Sequence, residues 1–366
     1  MAPNRKALRE LVQPLQPMLS IYLGLRPDTP TVDPAEDLNL RWRALAAQLG
    51  EAGADASTVD AVGRHLASLP AAPAGVALFA SDGRIRLEQY MPGGDGLDQA
   101  HHAAPPRLLP LLTWWQRRPA HVTVVTDRTG ADVTAVGPGE LTGRTETVVG
   151  PDDEIERNAP GGWAQPRYQR RAEDSWRHNA AAVAGATHRA LQATRADLLL
   201  LAGDVRAVQL LEERLPEQPN HGLCRHHLPG GRQPDGSAPA RLLAVDEQVA
   251  AHADEVTSRL LVQFDAEGGP RGRTVEGVAA TLAALAAGRV ETLLVVANLA
   301  DTRRAWFSPD ILCIDDPSQT GGRLDGLREG RLVDVAVRAA LLTDAEIRVL
   351  DGVGPAEGIG ALCRFT

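Results

Sequence analysis

Short apolar runs alternate along this chain with longer segments in which apolar residues return every third or fourth position. Met18–Leu25, Leu198–Ala202, Thr292–Ala297, Ile347–Leu350 and Ala361–Phe365 have strand length and character. Ala7–Leu15, Asp37–Leu49, Arg167–Thr194, Val205–Leu215, Ala240–Phe264, Thr274–Ala287 and Leu332–Leu342 follow the helical period. Two hairpins punctuate the pattern: Ser81–Asp82–Gly83 turns between Gly75–Ala80 and Ile85–Tyr90, and Arg128–Thr129–Gly130 turns between His121–Asp127 and Ala131–Val136. Alternation of this kind builds helix-flanked sheets, so the fold class is α/β. At 366 residues the chain exceeds a single typical core. The proline-rich stretch Pro105–Pro119 and the glycine- and proline-rich stretch Pro229–Pro239 predict three domains, residues 1–118, 119–239 and 240–366.

The stretch with the most chemistry is Arg157–His178, RNAPGGWAQPRYQRRAEDSWRH. Gly161 and Gly162 let the backbone approach a ligand closely, and Pro160 and Pro166 stiffen both sides. Pro166 suits the first turn of a helix, whose free amides and positive dipole end then face whatever the loop touches. Trp163 and Tyr168 offer stacking faces, and Arg157, Arg167, Arg170, Arg171 and Arg177 offer phosphate contacts. Together they suit the end of a nucleic acid strand better than a small metabolite. By composition alone, the glycine pair is equally an ordinary turn before a helix, with Trp163 folded onto the surface and the arginines a solvated face. The helix that follows carries the stripe Tyr168, Ala172, Trp176, Ala180, Val183, Thr187 and Leu191, which predicts one face buried on a sheet.

Three features together resemble a known family. The segments RTVEGVAATLAALAAGRVETLLVVANL (Arg273–Leu299) and EGIGALCRF (Glu357–Phe365) resemble the C-terminal domain of the archaeal and eukaryotic class-1 release factors and of Pelota, the stalled-ribosome rescue factor. The Gly-Gly loop opening into a long helix resembles the GGQ loop of the release-factor middle domain, an RNase H-like fold, and the order of the parts is the same. The chain looks like a bacterial member of this superfamily, similar to the mycobacterial-type homologues and the Balon ribosome-hibernation factors. The resemblance implies a 70S ribosome partner contacted through its rRNA, occupancy of the A site, and elongation factor Tu as a further partner. It departs from the family where the catalytic glutamine should follow the glycines: that position is Trp163, and Gln165 lies two residues on. An indole donates one hydrogen bond and accepts none, so it cannot organise a hydrolytic water as an amide does. The resemblance therefore favours a factor that binds and protects idle or stalled ribosomes, with Gly161, Gly162, Trp163, Gln165, Arg167, Tyr168, Arg170, Arg171 and Arg177 as its RNA contacts. The alternative is a peptidyl-tRNA hydrolase using Gln165. The chain lacks an Asn-Ile-Lys-Ser signature for stop-codon reading, and Lys6 is its single lysine.

Composition narrows the partners. A net charge of −9 argues against nonspecific coating of nucleic acid and against a DNA partner. Three cysteines, Cys224, Cys313 and Cys363, form no disulfide framework, and no leader or membrane-length apolar run is evident, so a cytoplasmic location without a membrane partner is expected. HGLCRHH groups His221, Cys224, His226 and His227, but a second Cys/His cluster at zinc-site spacing is lacking. His101–His102 reads as exposed loop. Asp127 and Asp132 flank the second hairpin and invite a metal-nuclease reading, against which turn-flanking acids are the simpler account. Gly352–Val353–Gly354 with Gly358 lacks dinucleotide-binding spacing. No metal and no cofactor is expected.

Overall fold

A computed structural model describes residues 5–25, 33–69, 75–91, 98–150, 165–215, 222–232, 236–269, 272–298, 300–320 and 326–365, with only the backbone described for 165–175 and 319–320. Two compact units result: Met1–Gln116 together with Thr257–Thr366, and Arg117–Val256. Within the described residues the architecture is mixed α/β, as the alternation requires. No described helix is long and apolar enough to cross a membrane.

The first stretch contains α1 (Arg5–Val12), β1 (Met18–Gly24), α2 (Pro34–Glu51), α3 (Ala56–Ser68), β2 (Gly75–Ser81), β3 (Arg84–Met91), β4 (Gln99–Ala103) and α4 (Leu109–Gln116). Asp33 and Asp55 begin α2 and α3 by accepting hydrogen bonds from Ala35 N and Thr58 N, each at 2.9 Å. The strands form one antiparallel sheet in the order β3-β2-β1-β4. Strand alternation sends Leu19, Ile21 and Leu23 of β1 into a core with Trp42, Leu49 and Leu66 of α2 and α3. Met18 and Tyr22 point to the opposite face, into a second core. His101 and His102 are not in a loop. They lie in β4, paired to β1 at Ser20 and Leu19.

The Arg117–Val256 unit holds β5 (His121–Thr126), β6 (Gly130–Val136), β7 (Arg144–Val149), α5 (Gln165–Thr194), β8 (Leu198–Gly203), α6 (Val205–Glu212) and β9 (Cys224–His227). Its five-stranded sheet runs β7-β6-β5-β8-β9, antiparallel through β7, β6 and β5 and parallel from β5 through β8 to β9. The predicted stripe of α5 is buried from Ala180 onward: Ala180, Val183, Thr187 and Leu191 are all below a tenth exposed, while Trp176 is half-buried. Val183 and Leu191 join Val122, Val124, Leu199 and Leu201 in one core.

Helix α7 (Ala238–Ala266) supplies residues to both units. The last stretch adds β10 (Thr274–Glu276), α8 (Val278–Ala286), β11 (Val290–Val296), β12 (Arg304–Phe307), β13 (Arg328–Arg331), α9 (Leu332–Leu342), β14 (Glu346–Leu350) and β15 (Ile359–Cys363). The expected helix over Thr274–Ala287 is thus shortened at its start. Gly277 adopts φ 81°, which ends β10, and the Glu357 carboxylate accepts from Val278 N at 2.7 Å to open α8. Strand order is β10-β15-β11-β14, with β11 parallel to β14 and antiparallel to β15. Leu8, Tyr22, Phe79 and Leu111 from the first stretch share one hydrophobic core with Leu285, Phe307, Val335 and Ala339 from the last. Helix α9 lies within it, buried along almost its whole length. Its Arg338 donates to Val12 O at 3.1 Å and Leu312 O at 3.3 Å while its guanidinium sits 4.9 Å from the Phe307 ring centre. The first and last of the three expected parts therefore share apolar packing.

Candidate functional site

Gly161, Gly162 and Trp163 lie outside the described residues, as do the side chains of Gln165, Arg167, Tyr168, Arg170 and Arg171. The geometry available is that of the helix behind the loop. Helix α5 starts at Gln165, so Gln165 and Pro166 occupy its first turn and the cationic positions 167, 170, 171 and 177 all fall on one element. Arg177 is exposed.

The root of that segment is held by the turn between β5 and β6. The Arg128 guanidinium stacks 5.1 Å from the centre of the Trp176 ring, and its carbonyl accepts from Asn179 Nδ2 at 2.9 Å. Asp204 caps α6 through Arg206 N and Ala207 N, and its other oxygen is 3.6 Å from Arg128 Nε. Close backbone contact makes this junction compact: a Cβ on Gly203 would lie 1.8 Å from Thr126 O. The arrangement sits at the carboxyl ends of the parallel strands β5 and β8, the edge at which open α/β sheets bind ligands.

Asp127 and Asp132 come together here, around a guanidinium. Arg232 reaches Asp132 through Nε at 3.0 Å and Nη2 at 3.3 Å, and its Nη1 is 3.5 Å from Asp127 Oδ1. Asp127 Oδ1 also accepts from Thr129 N and Gly130 N, which closes the hairpin turn. Burial pushes the Asp132 carboxyl up, but hydrogen bonds from Arg232 and Thr147 outweigh it and leave the group below the usual range. With a cation already between them, these acids are turn and strut residues.

A second polar assembly, which the sequence does not reveal, lies in the other unit. Arg107, Arg304, Arg328, Arg331, Glu329 and Asp334 line a cleft of about 570 Å³ beside the His102–Pro105 backbone. Glycine at 330 is required because a Cβ there would lie 2.9 Å from Ala104 O. Arg107 is held by its backbone, with Arg107 N donating to Ser20 Oγ at 3.0 Å and Tyr22 OH donating to Arg107 O at 2.6 Å. Its side chain donates to His101 Nε2 at 3.1 Å, and its Nε is buried without a partner. The same Nε2 also lies 3.2 Å from Gln99 Oε1. Burial, then Arg107 and Arg331, push that histidine down to about 4. Burial and the neighbouring Arg331 likewise lower Arg107. Asp334 is 3% exposed with Oδ1 unpartnered, and burial pushes it up to about 7 against the pull of Arg331 and Arg107. Arg304 Nε is 3.6 Å from Glu329 and Arg331 donates to Asp301 O and Asn298 O, whereas Arg107 Nε is a buried donor without a partner.

Residues 120–270 match bacterial archaeo-eukaryotic release factor family 2. Two uncharacterised proteins of Mycobacterium tuberculosis, from strains CDC 1551 and H37Rv, are each 26% identical over 98% of this chain and 96% of their own length. Among solved structures, an archaeal translation termination factor, aRF1, is 15% identical over 98% of this chain and 96% of its own, with a TM-score of 0.24. Saccharomyces cerevisiae Dom34, a termination-like factor, is 11% identical over 100% and 94%, with a TM-score of 0.38. The matched residues 120–270 hold the Gly-Gly-Trp sequence and the long helix behind it, so the likeness to this release-factor family falls on the loop-bearing part of the chain.

Proposed function

We propose that this protein is a ribosome-binding translation factor that occupies the A site of idle or stalled ribosomes and protects them, with residues 160–171 toward the peptidyl-transferase centre. The observation that carries this reading is Trp163 directly after Gly161–Gly162 in a release-factor homologue. A stacking surface there favours binding, and Gln165 lies two residues beyond that position, at the start of α5. Geometry for water activation tolerates errors of only about 1 Å, which a shift of two residues exceeds. Trp163, Tyr168 and the arginines of α5 stack on and ion-pair with rRNA. Elongation factor Tu is a further partner, residues 1–118 and 240–366 flank the loop-bearing part in sequence, and the cytoplasm is the site of action. The arginine cleft contributes a phosphate contact of its own.

Pelleting of ribosomes from growing and starved cells, with purified protein added, tests this. The chain is expected to co-sediment, and Trp163→Ala to weaken binding by about 1–3 kcal/mol, the worth of one stacked base. Gln165→Ala should leave occupancy intact, and peptidyl-tRNA on the ribosome should survive. Rapid peptide release by the native protein that is lost in Gln165→Ala would establish the hydrolase reading instead.

A further inference from the structure

Cys224 at the start of β9 and His252 and Glu255 on α7 each present a ligand atom, and these atoms lie within 4.8 Å of one another. All three belong to the Arg117–Val256 unit. In sequence, HGLCRHH draws attention to the histidines next to Cys224, yet His227 turns to Glu212, with Nε2 3.0 Å from Oε1. What meets Cys224 is α7, because Ala244, Val245 and Val249 pack with Cys224 against Leu198 and Leu200 of β8. His252 and Glu255 follow on the same helix, at a spacing of three that keeps both on one face.

The imidazole is what separates a metal site from a chance grouping. His252 is 2% exposed, and its Nε2 lies 3.1 Å from Asp197 Oδ1. A carboxylate only accepts, so Nε2 carries the hydrogen, which leaves Nδ1 as the nitrogen that can offer a lone pair to a metal. Nδ1 is buried and has no hydrogen-bond partner. An orphaned buried acceptor is unfavourable by about 1–3 kcal/mol, and a bound cation removes that penalty. A carboxylate on one ring nitrogen with the other nitrogen left open is the arrangement that orients metal-binding histidines. The donor set agrees: thiolate, imidazole and carboxylate are the ligands zinc takes, and two negative ligands balance a divalent charge. Bond lengths of about 2.0–2.3 Å require ligand atoms roughly 3.3–3.8 Å apart, so the three groups, within 4.8 Å of one another, draw together on binding.

We propose that Cys224, His252 and Glu255 bind one divalent first-row transition-metal ion, with Asp197 orienting His252 and a fourth position open to water. The sequence reading expected no metal, and the proposal departs from it. The ion ties β9 to α7 within the loop-bearing unit, and binding releases the thiol proton of Cys224.

The test uses the full chain, stripped with chelator and titrated with zinc alone, with bound metal counted after dialysis. The expected result is one zinc per chain and, on substitution with cobalt, a thiolate-to-cobalt absorption band. Cys224→Ser and His252→Gln should abolish both, while Cys313→Ser should change neither. Asp197→Asn should weaken binding 10- to 100-fold. Should either of the first two variants fail to fold, Glu255→Gln, an exposed position, decides the matter by weakened zinc binding in a chain with native circular dichroism. Absence of stoichiometric zinc on the folded native chain, absence of the thiolate band, or undiminished binding in Glu255→Gln would each overturn the assignment. Ribosome pelleting does not enter this test, so its result is independent of the proposed function.

Discussion

Arg232 and Arg107 are both largely covered arginines beside aspartates, and they have opposite surroundings. Arg232 spends its fork on Asp132 and touches Asp127, and its hydrogen bond to Asp132 holds its charge firmly. Arg107 meets a neutral histidine, keeps Nε unused, and has Arg331 and Arg304 as neighbours. A count of arginines therefore says little about ligand binding; the ratio of donors to nearby acceptors says more. By that measure the hairpin acids are closed on themselves, while Arg107 keeps one buried donor unpaired.

The largest effect that sharpens this contrast should come from Asp334. Its folded pKa, about 7, lies above the ordinary carboxylate value of 3.8, so the folded state holds the proton more tightly than the unfolded chain. Stability from this group is fully present below about pH 4 and is lost as pH rises through 7. Asp334→Asn, which mimics the protonated acid, should be more stable than the native chain at pH 8, on the order of 1–4 kcal/mol, with the difference vanishing near pH 4. Urea denaturation at the two pH values measures it, and a destabilised variant at pH 8 would mean that Asp334 is a paired anion.

Arg232→Ala should come next. It deprives two carboxylates of their partner and should lower unfolding free energy by about 1–3 kcal/mol, read in the same urea assay. If Arg107→Gln destabilises as much, the distinction between the two arginines is lost.

Arg107→Gln is expected to act on binding. Affinity for a short RNA should fall by about 1 kcal/mol and the slope of log affinity against log salt should shrink by about 0.7, as for one lost phosphate contact to a single strand. An unchanged slope in fluorescence titrations would show that the cleft does not seat phosphate. The smallest effect belongs to Trp176→Leu, which removes the cation–π contact with Arg128 at a loss of about 0.5–1 kcal/mol. Its reading is faster amide exchange in α5 with little change elsewhere, and exchange unaltered there would detach the loop's root from Arg128.

The middle sheet was legible because HVTVVTD and LLLLA carry their burial in their own letters, and α5 because its stripe steps evenly toward Ala180, Val183, Thr187 and Leu191. Strands with polar letters were not. β4 is QAHHA and β7 is RTETVV, and what makes them strands is a partner: β1 at residues 18–22 for β4, β6 for β7. The helix expected from Thr274 fails for a related reason, since β15 claims Thr274–Glu276 before the helix can begin. The cleft unites Arg107 with Arg304 and Arg331, and the Cys224 cluster unites a strand with a helix. No local spacing encodes either. The Gly-Gly-Trp reading could be made from sequence because its elements are consecutive, and its residues lie outside those described.

The shared core of the first and last stretches bears on how the chain emerges during its own synthesis. β1 has one face covered by α2 and α3 as soon as those helices are made, but the face with Met18 and Tyr22 needs residues beyond 280. At about 5–20 residues per second, the roughly 250 positions after Gln116 take on the order of 12–50 s to add. The nascent protein thus carries an unfinished apolar surface through most of its translation, while the intervening unit can fold on time. Over that interval the uncovered face of β1 is open to the aggregation that incompletely folded chains undergo.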